Sequence, residues 1–281
     1  MRYFGIRPAS FNGLASIGLK IERIKGKSYE CKTEFFRPYC VAFLDQLILS
    51  ANRPVKLSST YPAVNRYLKQ IEFPHLLSSA TMHSYFPEEN MITVKRFKQD
   101  TKKLNDAVPA WLEREVFSKS LAPNFSKELR KQIVENLWEI IFNAIQHSNS
   151  INGISCCGQF YPFRGYFEIA FYDHGIGIPQ NVRSFQKRLE KFTDHECIDW
   201  ALKEGTTTKP QMETGGLGLF YLREFLKLNG GWLQIVSKNG LYQSEGKNIF
   251  PAEHIKNSFK GTLFNLRIIY DEYTYKFKGE N

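Results

Sequence analysis

One segment of the chain, Lys131 to Ser148 (KQIVENLWEIIFNAIQHS), concentrates polar groups on a single line. Placed on a helical wheel at about 100° per residue, Glu135, Gln146, Glu139, Gln132, Asn143, Asn136 and His147 fall within an arc of roughly 120°. Ile133, Val134, Leu137, Trp138, Ile140, Ile141, Phe142, Ala144 and Ile145 fill an apolar arc of about 200°. Glu139 and Asn143 stand one turn apart on the polar line. A carboxylate and an amide oxygen so spaced can position a water and a hard cation such as Mg²⁺, which takes few protein ligands and completes its shell with phosphates and waters. The plain alternative is that the stripe faces solvent. An apolar face this broad belongs to a central helix, however, and a central helix often reaches solvent through a cleft.

Two glycine-bearing segments follow. Phe167 to Tyr172 (FEIAFY) runs into Asp173-His-Gly-Ile-Gly177. A carboxylate at the end of a buried strand is costly unless it meets a donor. Glycines there let the backbone turn sharply and let a flat ligand approach. The pattern suits Asp173 accepting from an exocyclic amine with Gly177 against the ring; an ordinary strand-to-loop turn is the alternative. Glu204 to Leu219 (EGTTTKPQMETGGLGL) then feeds a helix. Bare backbone N–H groups at a helix start bind phosphate, and Lys209 with the threonines adds charge and donors. Neither GxxxxGK[ST] nor GxGxxG occurs, so this is neither a P-loop nor a dinucleotide fingerprint.

The elements that must hold these residues read as α/β. Phe36 to Ala51 has helical spacing, with Pro38 in the first turn. Val55 to Leu57 is a short strand, and Ser58, Ser59 and Thr60 offer caps for a helix with Val64, Tyr67, Leu68 and Ile71 on one face. Met91 to Phe97 is a further strand, and the polar stretch Lys98 to Ala107 marks a boundary. A helix around Pro109 to Leu121 precedes the long one, Ser126 to His147. The continuous apolarity of Phe167 to Tyr172 predicts a strand buried on both faces. Leu217 to Asn229 is a helix stopped by Gly230-Gly231. Trp232 to Ser237, Asn239-Gly240 and Leu241 to Ser244 predict a hairpin. Gly261 to Ile269 is the last strand.

The 281 residues suit one large domain or two modest ones. With 42% hydrophobic and 23% charged residues the chain can build a core, which excludes disordered and collagen-like classes. No run approaches the length of a membrane span, and no signal peptide opens the chain. Five irregularly spaced cysteines without a CxxC pair argue for reduced thiols in the cytoplasm rather than a disulfide framework or structural zinc. A net charge of +10 permits an anionic partner without choosing one.

Taken in order and spacing, these segments resemble the GHKL ATPase superfamily of gyrase B, heat-shock chaperones, histidine kinases and MutL. Glu139 to Ser148 looks like its N box, Asp173 to Gly177 like its first glycine box, Gly215 to Leu219 like its second, and Gly261-Thr262 like the Gly-Thr beneath the base; Asp199 to Lys209 matches the passage into the lid. The resemblance covers about residues 108 to 272. It implies a two-layer α/β sandwich with a mixed sheet over residues 106–281, preceded by a small α/β domain over 1–105. It implies ATP and Mg²⁺ as ligands, with Asn143 on the metal and Asp173 and Thr262 on the adenine amine. Gly177 would line the base, Gly215, Gly216 and Gly218 would meet phosphates, and Gly175, Leu217, Leu219, His147, Thr208 and Lys209 would complete the site. Glu139 sits where hydrolysing members carry their general base.

Two departures from that family stand out. His75 and His83 are the only histidines upstream, and neither lies in a long helical repeat that would serve as a phosphoacceptor hairpin. Only about ten residues follow the last strand, so a lysine for the γ-phosphate is expected from Lys209, from the N-terminal domain or from another subunit. Residues 1 to about 100 more faintly resemble a STAS domain, although Phe36-Arg37-Pro38-Tyr39 stands where that family places its phosphoacceptor serine. The leading expectation is a Mg²⁺-dependent ATPase that switches its own N-terminal domain or a protein partner. A kinase acting on a partner's serine or histidine is the first alternative, and a DNA-associated ATPase the second, disfavoured by the absence of any nucleic-acid motif. Relatives of this kind frequently homodimerise, and no membrane association is expected.

Overall fold

The computed structural model describes residues 21–25, 28–31, 36–50, 56–75, 88–99, 101–119, 124–185, 189–206, 217–271, 273–277 and 279–280. In chain order the elements are β1 (Ile21–Lys25), β2 (Ser28–Cys31), α1 (Pro38–Ser50), β3 (Lys56–Ser59), α2 (Pro62–Gln70), β4 (Met91–Phe97), α3 (Thr101–Leu112) and α4 (Lys127–His147). There follow β5 (Ile154–Tyr161), β6 (Tyr166–Asp173), α5 (Ile178–Phe185), α6 (Asp194–Ala201), α7 (Gly218–Asn229), β7 (Trp232–Glu245), β8 (Asn248–Ile249) and β9 (Glu253–Ile269).

Six strands form one sheet in the order β4-β5-β6-β9-β7-β8. The architecture is the expected α/β sandwich, but the sheet is not mixed. Every pairing in it is antiparallel. The β5–β6 pair, for example, is joined by a single short turn at Pro162–Arg164, too short for the crossover that parallel neighbours need. The parallel pairing, β2 with β3, lies in a separate three-stranded sheet.

Helices α3, α4 and α7 bury their apolar faces on one side of the large sheet. Helices α1 and α2 cover the other side, where Phe43 packs 5.0 Å from Tyr172 and 5.2 Å from Phe259. Phe171 therefore joins one core and Tyr172 the other. This explains why β6 is buried at every position and reads as one apolar run. No helix among the described residues is long and apolar enough to cross a membrane. Cys40, Cys156, Cys157 and Cys197 are buried and form no disulfide.

Several expectations need correction. The polar stretch from Lys98 to Ala107 holds the start of a helix, because Leu104, Val108, Trp111 and Leu112 recur at helical spacing and are buried. Helix α3 thus begins at Thr101, contains Pro109 and continues into a π-helical turn, Glu113–Phe117. Strand β4, before residue 105, pairs with β5, after it. Ser59 and Thr60 do not cap α2, which starts after Tyr61 with Pro62 in its first turn. Asn239-Gly240 is not a hairpin turn. Residues 232 to 245 run as one bulged strand along β9, with Lys238 at φ 55°.

Candidate functional site

Helix α4 is opened by Ser126, whose hydroxyl accepts from Leu129 N at 3.1 Å. Its polar line divides when packed. Gln132 and Asn136 bond each other at 3.1 Å and line a separate groove beside α7, and Glu135 is exposed. Glu139, Asn143 and His147 instead line a cleft that counts about 820 Å³ with the open space at its mouth. Solvent is reached through a cleft, as the breadth of the apolar arc suggested.

The cleft lies between α4, the end of β6, α5 and α6. Ile140, Ala144, Ile178, Val182 and Leu219 supply apolar walls, and Asp173, Thr262 and Asn143 supply polar groups. Asp173 is 2% exposed, and its Oδ1 accepts from Gly175 N at 2.9 Å. It pairs across the sheet with Thr262. Burial pushes its carboxyl up to about 7, against the pull of the Gly175 and Thr262 backbone N–H groups. Asn143 Oδ1 is buried without a hydrogen-bond partner, an acceptor that a hard cation would satisfy. Among the described residues no group of three or more His, Cys, Asp or Glu side chains could hold a metal, so a cation here would depend on Asn143, water and the ligand's own oxygens.

The glycines hold the site together by closeness. A Cβ on Gly218 would stand 2.4 Å from Glu139 Oε2, so the first turn of α7 rests directly on that carboxylate. This places Glu139 at the positive end of the α7 dipole. Gly261, at φ 80°, would put a Cβ 1.9 Å from the Asp173 carbonyl oxygen. Gly175 faces the Ser148 carbonyl rather than the cleft, and Gly177, at φ 85°, lines it. Leu219 lines the cleft, whereas Leu217 sits outside it, 38% exposed. Thr208, Lys209, Gly215 and Gly216 lie outside the described residues.

Ser237 belongs to none of the motifs, yet it ties the site together. Its fully buried hydroxyl donates to Gly261 O at 2.9 Å, accepts from Ile178 N at 3.0 Å and lies 3.1 Å from Thr262 Oγ1. A polar residue closing the apolar run Trp232 to Ser237 was its only signal. Asn181, which donates to His147 O at 2.9 Å, and Trp200, on α6, also line the cleft. Asn181 has no local signal, and Trp200 falls in the Asp199–Lys209 passage without a role of its own there.

Fold and cleft together define an antiparallel α/β sandwich with a buried carboxyl at the base of a mainly apolar slot. No protein-family model and no curated protein matches the chain. Among solved structures it is similar to the ATP-binding domain of topoisomerase IV from Francisella tularensis in complex with a small-molecule inhibitor. The match has 15% sequence identity, covers 65% of this chain and 76% of that chain, and has a TM-score of 0.28. A likeness at that score assigns no residue a role.

Proposed function

We propose that the chain binds a magnesium-chelated adenine nucleotide in this cleft and hydrolyses its terminal phosphate bond, in the manner of the GHKL ATPases that its motifs resemble. The observation that carries the reading is the buried Asp173 carboxyl beneath apolar walls, in one cleft with the carboxylate of Glu139 and the unpartnered oxygen of Asn143. A base bearing an exocyclic amine would satisfy Asp173, and its faces would pack on Ala144, Val182 and the Gly177 backbone. Asn143 Oδ1 would ligate the metal. The metal, when bound, gathers phosphate oxygens and offsets their charge. Glu139 would then orient a water towards the terminal phosphorus and accept its proton. Gly215, Gly216 and Gly218 would offer backbone N–H groups to the phosphates, with Thr208 and Lys209 as further donors. We infer a switch in which the N-terminal region or a protein partner reads the nucleotide state.

The test uses the full chain with Mg²⁺ and ATP labelled at the γ-phosphate. Binding heat is expected for the wild type, with label released as free phosphate. Glu139→Ala should keep binding and lose turnover by at least about a hundredfold. Label moving onto protein instead would replace hydrolysis by kinase chemistry. No heat at all would end the nucleotide reading.

A further inference from the structure

The Asn239-Gly240 pair is spent on neither a turn nor the cleft, and what it does instead points to α6. The Asn239 N–H donates to Asp194 Oδ2 at 2.8 Å, at the first turn of that helix. His195 Nδ1 lies 2.9 Å from Leu241 O. A Cβ on Gly240 would stand 2.8 Å from the Asp194 carbonyl, so only glycine lets α6 lie this close to β7. Arg183 adds a bond to Asp194 Oδ1 at 2.5 Å, and a capping box between Thr193 and Glu196 closes the helix start. Helix α6 is thus fastened to the bulge in β7 at its N-terminal end, and its C-terminal end carries Trp200 into the cleft.

Trp200 is held from several sides. It packs on the small cluster of Val182, Leu189 and Cys197, and its ring lies 6.0 Å from that of Phe185. Its carbonyl accepts from Thr206 Oγ1 at 2.7 Å. Phe264, the other aromatic residue of the lining, belongs to the central core, whereas Trp200 is only partly buried. A fixed indole among aliphatic side chains suits a planar π-ligand.

We propose that Trp200 is the aromatic wall against which the base end of the bound nucleotide packs, and that the Asn239-Gly240 bulge is the device that positions it. This rests on the nucleotide reading above. It adds a recognition residue to which the motifs gave no role, and a positioning residue on a different element.

The experiment titrates the full chain with a magnesium-bound, non-hydrolysable ATP analogue, followed by calorimetry and tryptophan fluorescence. The wild type should show a fluorescence change that Trp200→Phe largely removes while keeping affinity within about threefold. Trp200→Ala should weaken binding about tenfold. Gly240→Ala should weaken it too, but add nothing in the Trp200→Ala background, because both act through one wall; a merely structural Gly240 would add its full effect there. Wild-type affinity in Trp200→Ala, or an undiminished fluorescence change in Trp200→Phe, overturns the wall and leaves the nucleotide reading standing. Calorimetric silence in the wild type overturns both.

Discussion

Asp173 shows how burial turns a common side chain into a selective one. A carboxyl raised to about 7 holds its proton over a range in which the unfolded chain has lost it. Its contribution to stability is therefore full below the ordinary carboxylate value and is lost as pH rises through about 7. An amine donor on a ligand reverses the preference, since it bonds the ionised form. Nucleotide affinity should accordingly fall about tenfold per unit as pH drops below 7, with a proton released on binding. Calorimetry in buffers of different ionisation enthalpy reads that proton, and a pH-independent affinity would contradict the amine contact. Asp173→Asn offers a donor where an acceptor is needed and should abolish binding at every pH. The residue types were legible here: a charge after an apolar run, then glycines. The degree of burial was not, because it depends on β9 and α4, which come from distant parts of the chain.

At the scale of elements, the working unit is the contact between α4 and α7. Gly218 lets the start of α7 rest on Glu139, so the two helices fix that carboxylate between them. Gly218→Ala would drive a methyl group into Oε2, and the side chain or the helix must shift. Turnover should fall at least about tenfold while nucleotide affinity changes far less. Equal losses in both, measured by steady-state hydrolysis and calorimetry, would place Glu139 in binding rather than chemistry. Helix α4 was readable because its period and its N-cap agree. Strand β5 was not expected. It carries Cys156, Cys157 and Gly158, and it needs that glycine because a Cβ there would stand 2.5 Å from the Glu168 carbonyl of the neighbouring strand. Small residues demanded by a close neighbour carry no strand signal of their own. The hairpin expected at Asn239-Gly240 failed for a related reason: the dipeptide suits a turn, but the backbone found its partners in α6 and β9.

Across the whole molecule, the N-terminal layer is joined to the sheet through charge as well as apolar packing. Asp45 on α1 is fully buried and accepts from Arg96 at 2.7 and 2.5 Å and from Ser155 at 2.6 Å. Burial alone would raise its carboxyl, but the bonds from Arg96, His75 and Ser155 outweigh that and hold it below its usual value. Arg96→Met removes the charged partner and leaves the buried Asp45 with His75 and Ser155 alone, which should cost about 3 kcal/mol and lower the urea midpoint. An unchanged midpoint would mean that the apolar layer alone holds α1 in place. Ser155 sits opposite Tyr172 across β5 and β6, one residue before Asp173, so this lock and the cleft use the two faces of the same strands. The sequence by itself determined the helices with clean periodicity, the strand buried on both faces and the polar residues of α4 and β6 that line the cleft, because each of these is written in local spacing. Only the tertiary structure decided that the polar line of α4 divides between a cleft and a groove. It likewise decided that Ser237 ties the site together, that Trp200 enters the cleft and that all six strands run antiparallel. Those outcomes depend on which distant backbone comes within a few ångströms, and no local pattern of side chains encodes that distance.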